Sequence, residues 1–213
     1  MSDYILEEKL LNDIDYVIGV DEVGRGCLAG PICVAAFLLS KDDLNTIKLD
    51  KEFLGVDDSK KVSKKKRERL NSLLKQFKHT LSLRDNTYID EKGLSLTLYE
   101  CINESVTELL KLTGGSDNYL VLIDGVFPKK FTFNYKTVID GDAKHFVISG
   151  ASIIAKVYRD KIMEEQSQIF PGYNFEKNVG YGTKKHFDAI KEKGITKIHR
   201  KSFEPIKSML KGH

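Results

Sequence analysis

Asp21 and Glu22 stand side by side at the end of the apolar run Tyr16-Val17-Ile18-Gly19-Val20, and Gly24-Arg25-Gly26 follows them at once. Two further carboxylates sit in comparable surroundings. Asp124-Gly125 closes the apolar run Tyr119 to Ile123, and Asp142 follows Gly141 after the candidate strand Lys136 to Ile139. An Asp-Glu pair alone is most simply an acidic turn, but the apolar approach and the glycines behind it weaken that account. Carboxylates brought close together repel and raise one another's pKa unless a cation neutralises them. All four donors are hard oxygens, with no Cys and no nearby His in these motifs, which favours Mg2+ or Mn2+ over zinc.

Such a cluster needs elements that converge. Tyr16 to Val20 reads as a buried strand, Ile32 to Leu39 as a second, Thr80 to Arg84 as a third, and Tyr119 to Ile123 and Lys136 to Ile139 as two more. Successive strand side chains face opposite ways, so Asp21 and Glu22 share one site only where their strand ends or twists. Between the strands, a helix capped by Ser63 buries Leu70, Leu73, Leu74 and Phe77 on one face. A longer one is predicted from Asp90 to Leu112, stopping at Gly114-Gly115. A long helix runs from the Asp140-Gly141-Asp142 turn to Ile169, and its cluster Ser149-Gly150-Ala151-Ser152 suits close packing on a sheet. Thr183 caps a short helix, and Pro205 to Leu210 forms the last. Strands alternating with amphipathic helices indicate an α/β layered domain.

The chain has 213 residues, 41% of them hydrophobic, enough for one substantial core. Cys27, Cys33 and Cys101 show no paired spacing, so neither a disulfide framework nor a thiolate zinc site is indicated. The first residues are too acidic for a targeting segment, and the longest apolar run is far below the roughly 20 residues of a membrane span. A cytoplasmic protein with no membrane association is the expectation. Net charge is +3, unevenly spread: residues 176 to 213 hold ten Lys or Arg against four Asp or Glu, +6, leaving −3 for the rest. A basic end suits a polyanion. A second basic cluster runs from Ser59 to Arg69. From charge alone, a solvated helix face explains it equally well.

The order of motifs resembles the type 2 ribonuclease H (ribonuclease HII) family. It begins with DEVGRG and LAGPICVAA and continues through Asp58-Ser59-Lys60-Lys61, LIDG, Gly141-Asp142 and ASIIAKVYRDKIM. PGYNF, GYGTKKH and HRKSFEP complete it, so the resemblance spans nearly the whole chain. The related type 3 enzymes carry an extra domain before the acidic strand, whereas 20 residues precede Asp21 here. The resemblance implies a ribonuclease H-like fold, a central mixed five-stranded sheet flanked by helices with a small helical C-terminal extension. Residues 1–170 would form the catalytic domain, and 171–213 a basic helical segment packed on it.

The resemblance further implies an endonuclease acting on the RNA strand of RNA/DNA hybrids and 5′ of ribonucleotides embedded in duplex DNA, leaving 5′-phosphate and 3′-hydroxyl ends. Asp21, Glu22, Asp124 and Asp142 would be catalytic metal ligands in a two-metal hydrolysis. Gly24, Arg25 and Gly26 would read the ribose 2′-hydroxyl through an unobstructed backbone. Arg25, Ser59, Lys60, Thr183 and Lys184 would contact substrate, chiefly phosphate, and Tyr181 would sense the RNA-to-DNA junction. Asp140 has no assigned role, and His186 and His199 are read as structural hydrogen-bonding residues or phosphate contacts. A monomer is expected, and Ser208 to His213 gives no firm partner signal. A catalytically silent nucleic-acid-binding module would leave four carboxylates without purpose. Another metal-dependent phosphoesterase on the same fold would leave the GRG turn and Tyr181 without one.

Overall fold

A computed structural model describes residues 4–56, 62–127 and 129–211, with the side chains of residues 54 and 55 left aside. Five strands form one mixed sheet: β1 Tyr16–Val23, β2 Ile32–Ser40, β3 His79–Arg84, β4 Tyr119–Asp124 and β5 Tyr135–Val138, in the order β3-β2-β1-β4-β5. β1 runs antiparallel to β2 and parallel to β4, and β4 parallel to β5. This is the five-stranded sheet expected from the resemblance. The helices are α1 Ile5–Leu10, α2 Lys41–Leu49, α3 Lys64–Leu74, α4 Asn86–Lys92, α5 Leu94–Lys111, α6 Gly141–Lys144, α7 Phe146–Ile169, α8 Phe175–Asn178, α9 Lys184–Lys193 and α10 Ile206–Lys211. Among the described residues, no helix is long and apolar enough to cross a membrane.

Strand alternation divides the core in two. Val17, Cys33, Ala35, Phe37, Leu120 and Leu122 face α7, whereas Ile18, Val20, Val34, Ala36, Val121 and Ile123 face α5. A sheet covered on both faces explains why β2 reads as an unbroken apolar run. The first ten residues of α7, Phe146 to Ala155, are all buried. They lie so near the sheet that a Cβ on Gly19 would come within 2.1 Å of the Val147 backbone. The small-residue cluster was expected to allow this approach, but the decisive small residue is in the strand. Gly150 matters less, since its Cβ would meet only the ring of Phe37, at 2.9 Å.

Two helices are divided where single ones were expected. Gly93, with φ +78°, separates α4 from α5 within the predicted Asp90 to Leu112 helix, because a left-handed residue breaks the hydrogen-bond ladder. His145, in extended backbone, separates α6 from α7. α7 therefore begins without a side-chain cap of its own. Glu7, fully buried on α1, supplies the acceptor by taking the Val147 N–H at 3.2 Å, one of the donors that the first turn of a helix leaves without an internal partner. Neither α1 nor α2 was read from the sequence.

The tightness of the Gly19–Val147 contact makes Gly19→Ala a destabilising substitution, by at least about 1–3 kcal/mol on the scale of core overpacking. Chemical denaturation should show a lower midpoint than wild type; an unchanged midpoint would mean that α7 is free to shift.

Candidate active site

The register between β1 and β4 builds the site. Val20 pairs in parallel with Ile123 and the ladder stops there, so the next residues, Asp21 and Asp124, emerge level on neighbouring strands. Both point to the α7 side, following the alternation through Gly19 and Leu122. Asp21 and Glu22 lie inside β1 rather than after it, since the strand continues to Val23, paired only with β2 beyond Val20. Glu22 belongs by alternation to the other face. It nonetheless lines the same cavity as Asp21, consistent with the loss of the β4 neighbour at that level.

The cavity holds about 290 Å³ and is bounded by Asp21, Glu22, Val23, Gly24, Arg25, Ser152, Lys156 and Tyr181. Burial pushes the Asp21 carboxyl well above its ordinary range, with Glu22 and Asp124 adding repulsion, while a hydrogen bond from Ser152 and the Glu22 N–H at 2.7 Å work against that rise. Burial raises Glu22 as well, opposed by Arg25, whose Nη1 is 3.5 Å from Oε1 and whose side chain remains 55% exposed. Asp124 raises Glu22 further. Asp124 Oδ1 accepts the Gly141 N–H at 2.8 Å, docking α6, which carries Asp142, against the end of β4, although neither Asp124 nor Asp142 lines the cavity itself. Gly141 permits that approach, because its Cβ would lie 3.2 Å from Asp124 Oδ1 and 2.5 Å from Ile148. Asp142 thus sits on a short helix and not at a strand end as expected; it is buried, and its carbonyl accepts the Ser149 hydroxyl. Asp140 is exposed, with φ +54°.

Among the described residues, no three His, Cys, Asp or Glu side chains are closed into a ready-made metal cage. The donor chemistry nevertheless suits a hard cation. Glu22 and Asp124 lie close enough to oppose ionisation of Asp21, as Asp124 does that of Glu22, and every candidate donor is a carboxylate oxygen, the set that Mg2+ and Mn2+ prefer. The cationic side chains beside them, Arg25 and Lys156, lie on the cavity wall.

Gly24 and Gly26 play different parts. Gly24 has φ +92°, and a Cβ there would lie 2.2 Å from Arg159 Nε, so its smallness serves the packing beneath the turn. Gly26 is open: its Cβ would meet only the Tyr181 ring, at 3.9 Å. Tyr181 is 40% exposed and lines the cavity. Thr183 is the N-cap of α9, accepting the His186 N–H at 3.4 Å, and neither it nor the exposed Lys184 lines the cavity. Ser59 and Lys60 lie outside the described residues.

Sequence reading missed Ser152 and Lys156 in the cavity, and Arg159 behind it. The three fall at i, i+4 and i+7 of α7, one helical face, and that spacing was the available signal. Lys156 is held by Asp160, 2.8 Å from its Nζ, and Asp160 also binds Arg67.

A structural role is evident for the two histidines. His199 Nδ1 accepts the Thr196 N–H at 2.8 Å, which assigns its proton to Nε2 and makes that atom the donor to His186 Nε2, 3.0 Å away. His186 then carries its proton on Nδ1 and donates to the Tyr181 carbonyl at 2.9 Å. Tyr173 and Phe175 pack against both rings.

A family model described as Ribonuclease HII matches residues 18–206. A Ribonuclease HII of Clostridium perfringens (strain 13 / Type A) is 48% identical over 200 residues, covering 93% of this chain and 70% of that protein. Among solved structures, the PCNA:RNase HII complex from Archaeoglobus fulgidus superposes with TM-score 0.69 at 24% identity, covering 88% of this chain and 95% of that one. Bst-RNase HIII in complex with Mn2+ gives TM-score 0.72 at 20% identity, over 95% and 72%. At these identities, the two structures speak for the fold.

The buried histidine pair generates a pH-dependent stability. Burial lowers both residues, and the neighbouring His186 helps take His199 from 6.5 to about 4. A group whose folded pKa is depressed contributes stability above its unfolded value that is lost as pH falls through the folded one. Urea midpoints should therefore hold above pH 6.5 and decline towards pH 4, His199 contributing at most on the order of 3 kcal/mol. His199→Gln should be less stable at neutral pH and show a shallower decline; the same slope as wild type would exclude the pair as its cause.

Proposed function

Because the chain belongs to the ribonuclease HII family, and is thus a ribonuclease H acting on RNA/DNA hybrids, we propose that its acidic cavity also incises duplex DNA 5′ of embedded ribonucleotides, leaving 5′-phosphate and 3′-hydroxyl ends. The observation that carries this reading is the parallel register of β1 and β4. It sets Asp21 level with Asp124 beside a glycine turn in which a Cβ on Gly26 would meet only the Tyr181 ring, at 3.9 Å.

In this reading Asp21, Glu22, Asp124 and Asp142 hold divalent cations, Mg2+ or Mn2+. Bound there, the ions supply the Lewis acidity that makes the attacking water nucleophilic and offsets charge on the departing 3′ oxygen. The protein's part is placement. Ser152 orients the Asp21 carboxylate, and the Gly141 N–H orients Asp124, so the donors are fixed before substrate arrives. Arg25 is exposed enough to leave Glu22 for a phosphate, and Lys156, tethered by Asp160, offers a second cation on the same wall. Gly26 leaves its backbone open to a 2′-hydroxyl, which separates RNA from DNA, and the Tyr181 ring stacks on the following deoxyribose.

Cleavage of a duplex bearing one ribonucleotide should require Mg2+ or Mn2+ and cease with chelator. Undiminished cutting in excess chelator would sink the metal assignment. Asp124→Asn removes a ligand charge at constant shape and should cost roughly a hundredfold or more in turnover, the size of several kcal/mol of lost charge stabilisation. It should also leave thermal stability equal or higher, because it relieves repulsion in the cluster. Near wild-type turnover would remove Asp124 from the ligand set.

Ribose and junction reading separate by substrate. Gly26→Ala fits the fold and should preserve the melting temperature while slowing both hybrid and single-ribonucleotide cleavage. Tyr181→Ala should slow the single-ribonucleotide duplex more, by about 1–3 kcal/mol if stacking is lost. Initial rates on the two substrates decide, and equal losses for Tyr181→Ala would refute its junction role.

A further inference from the structure

Beneath the cavity lie two fully buried arginines that the chemistry above does not use, Arg159 on α7 and Arg200 after α9. Their acceptors are main-chain carbonyls. Arg159 donates from Nε to Pro31 at 2.8 Å, from Nη1 to Val179 at 2.7 Å and from Nη2 to Ala29 at 3.1 Å. Arg200 donates from Nε to Gly30 at 3.1 Å and from Nη1 to Arg25 at 3.0 Å. A buried charge is costly unless its donors are satisfied; Arg159 meets that condition at all three nitrogens, Arg200 at two, its Nη2 having no partner among the described residues, and a guanidinium meets several carbonyls at fixed angles where an ammonium would not.

These carbonyls belong to the two segments that carry the substrate readers. Arg25 and residues 29–31 continue from the glycine turn, and Val179 precedes Gly180-Tyr181. Main-chain bonds lock the same segments: Leu28 N–H donates to the Gly180 carbonyl at 2.8 Å, and the Arg200 N–H to the Leu28 carbonyl at 2.8 Å. Gly180 fits only because it lacks a Cβ, which would lie 2.3 Å from the Ala29 carbonyl oxygen. Arg159 spans both segments, and its Nε also occupies the space that a Cβ on Gly24 would need.

We propose that Arg159 and Arg200 are positioning residues that fix the separation between Gly26 and Tyr181, and so support cleavage where a ribose is followed by a deoxyribose at one set spacing. This rests on the nuclease reading above. A duplex with a single ribonucleotide satisfies both readers in only one register, whereas a hybrid presents a 2′-hydroxyl at every step of its RNA strand. Loosening the spacing therefore harms the single-ribonucleotide substrate more.

The test measures kcat and KM with Mg2+ on both duplexes for wild type, Arg159→Gln, Arg200→Gln, Arg159→Lys, Tyr181→Ala and the double variant Arg159→Gln/Tyr181→Ala. Leu109→Ala, in the core on the α5 face, serves as an equally destabilised control. Each Gln variant should lose roughly tenfold more kcat on the single-ribonucleotide duplex than on the hybrid, with Arg159→Lys recovering part of it. The double variant should fall within about twofold of Tyr181→Ala, as expected for residues that act through one another. Leu109→Ala should leave the substrate ratio unchanged. Should the Gln variants fail to fold, Arg159→Lys alone must show a smaller skew in the same direction. Equal losses on both duplexes, multiplicative losses in the double variant, or a skew in Leu109→Ala would overturn the arginine assignment while the nuclease reading stood. A wild-type protein inactive on both duplexes would overturn both.

Discussion

The parallel pairing of β1 with β4 is the constraint on which the site depends. With Val20 opposite Ile123, Asp21 and Asp124 must emerge level and on one face. A slip of one residue would turn one of the carboxylates to the opposite face of the sheet. Two contacts secure that arrangement from the α7 side. Gly19 lets the backbone of Val147 rest on β1, and Glu7 caps the N–H end of the same helix. Ser152 on that helix then reaches Asp21, so sheet register, helix depth and carboxylate orientation are set by one packing solution.

Packing that gathers carboxylates works against itself. Burial and mutual repulsion raise both Asp21 and Glu22, so the folded chain resists carrying the charges that its chemistry uses. Tertiary packing offsets that resistance: β2 and the first half of α7 are almost wholly buried. A ligand that binds only the folded state adds its own binding free energy to stability. For a hard cation, that linkage is strongest where the unneutralised site is most strained.

What the sequence disclosed follows from the range over which each signal acts. Strand runs and glycine turns are local, so all five strands and the carboxylates could be read directly. The breaks at Gly93 and His145 were not legible, because apolar spacing continues across both and only the backbone conformation betrays them. α1 was missed because its reason for existing is Glu7, whose partner, the Val147 N–H, is 140 residues away. The family resemblance makes Gly24 a ribose reader. Its contact with Arg159, 135 positions later in the chain, gives it a second and sterically stronger duty.

Arg200 shows the same limit for charge. It counted towards the +6 of the C-terminal segment as though all of that charge faced solvent, yet it is fully buried and donates to the carbonyls of Gly30 and Arg25. Net charge describes a segment's reach into solvent only where its side chains get there. The basic segment therefore does two kinds of work. Its exposed lysines, such as Lys184 and Lys185 on α9, can meet a polyanion. Its buried part, Arg200 with His186 and His199, runs hydrogen bonds into the backbone of the glycine turn and of Tyr181. The segment that contributes no carboxylate to the cluster thereby fixes the walls of the cavity in which the carboxylates act.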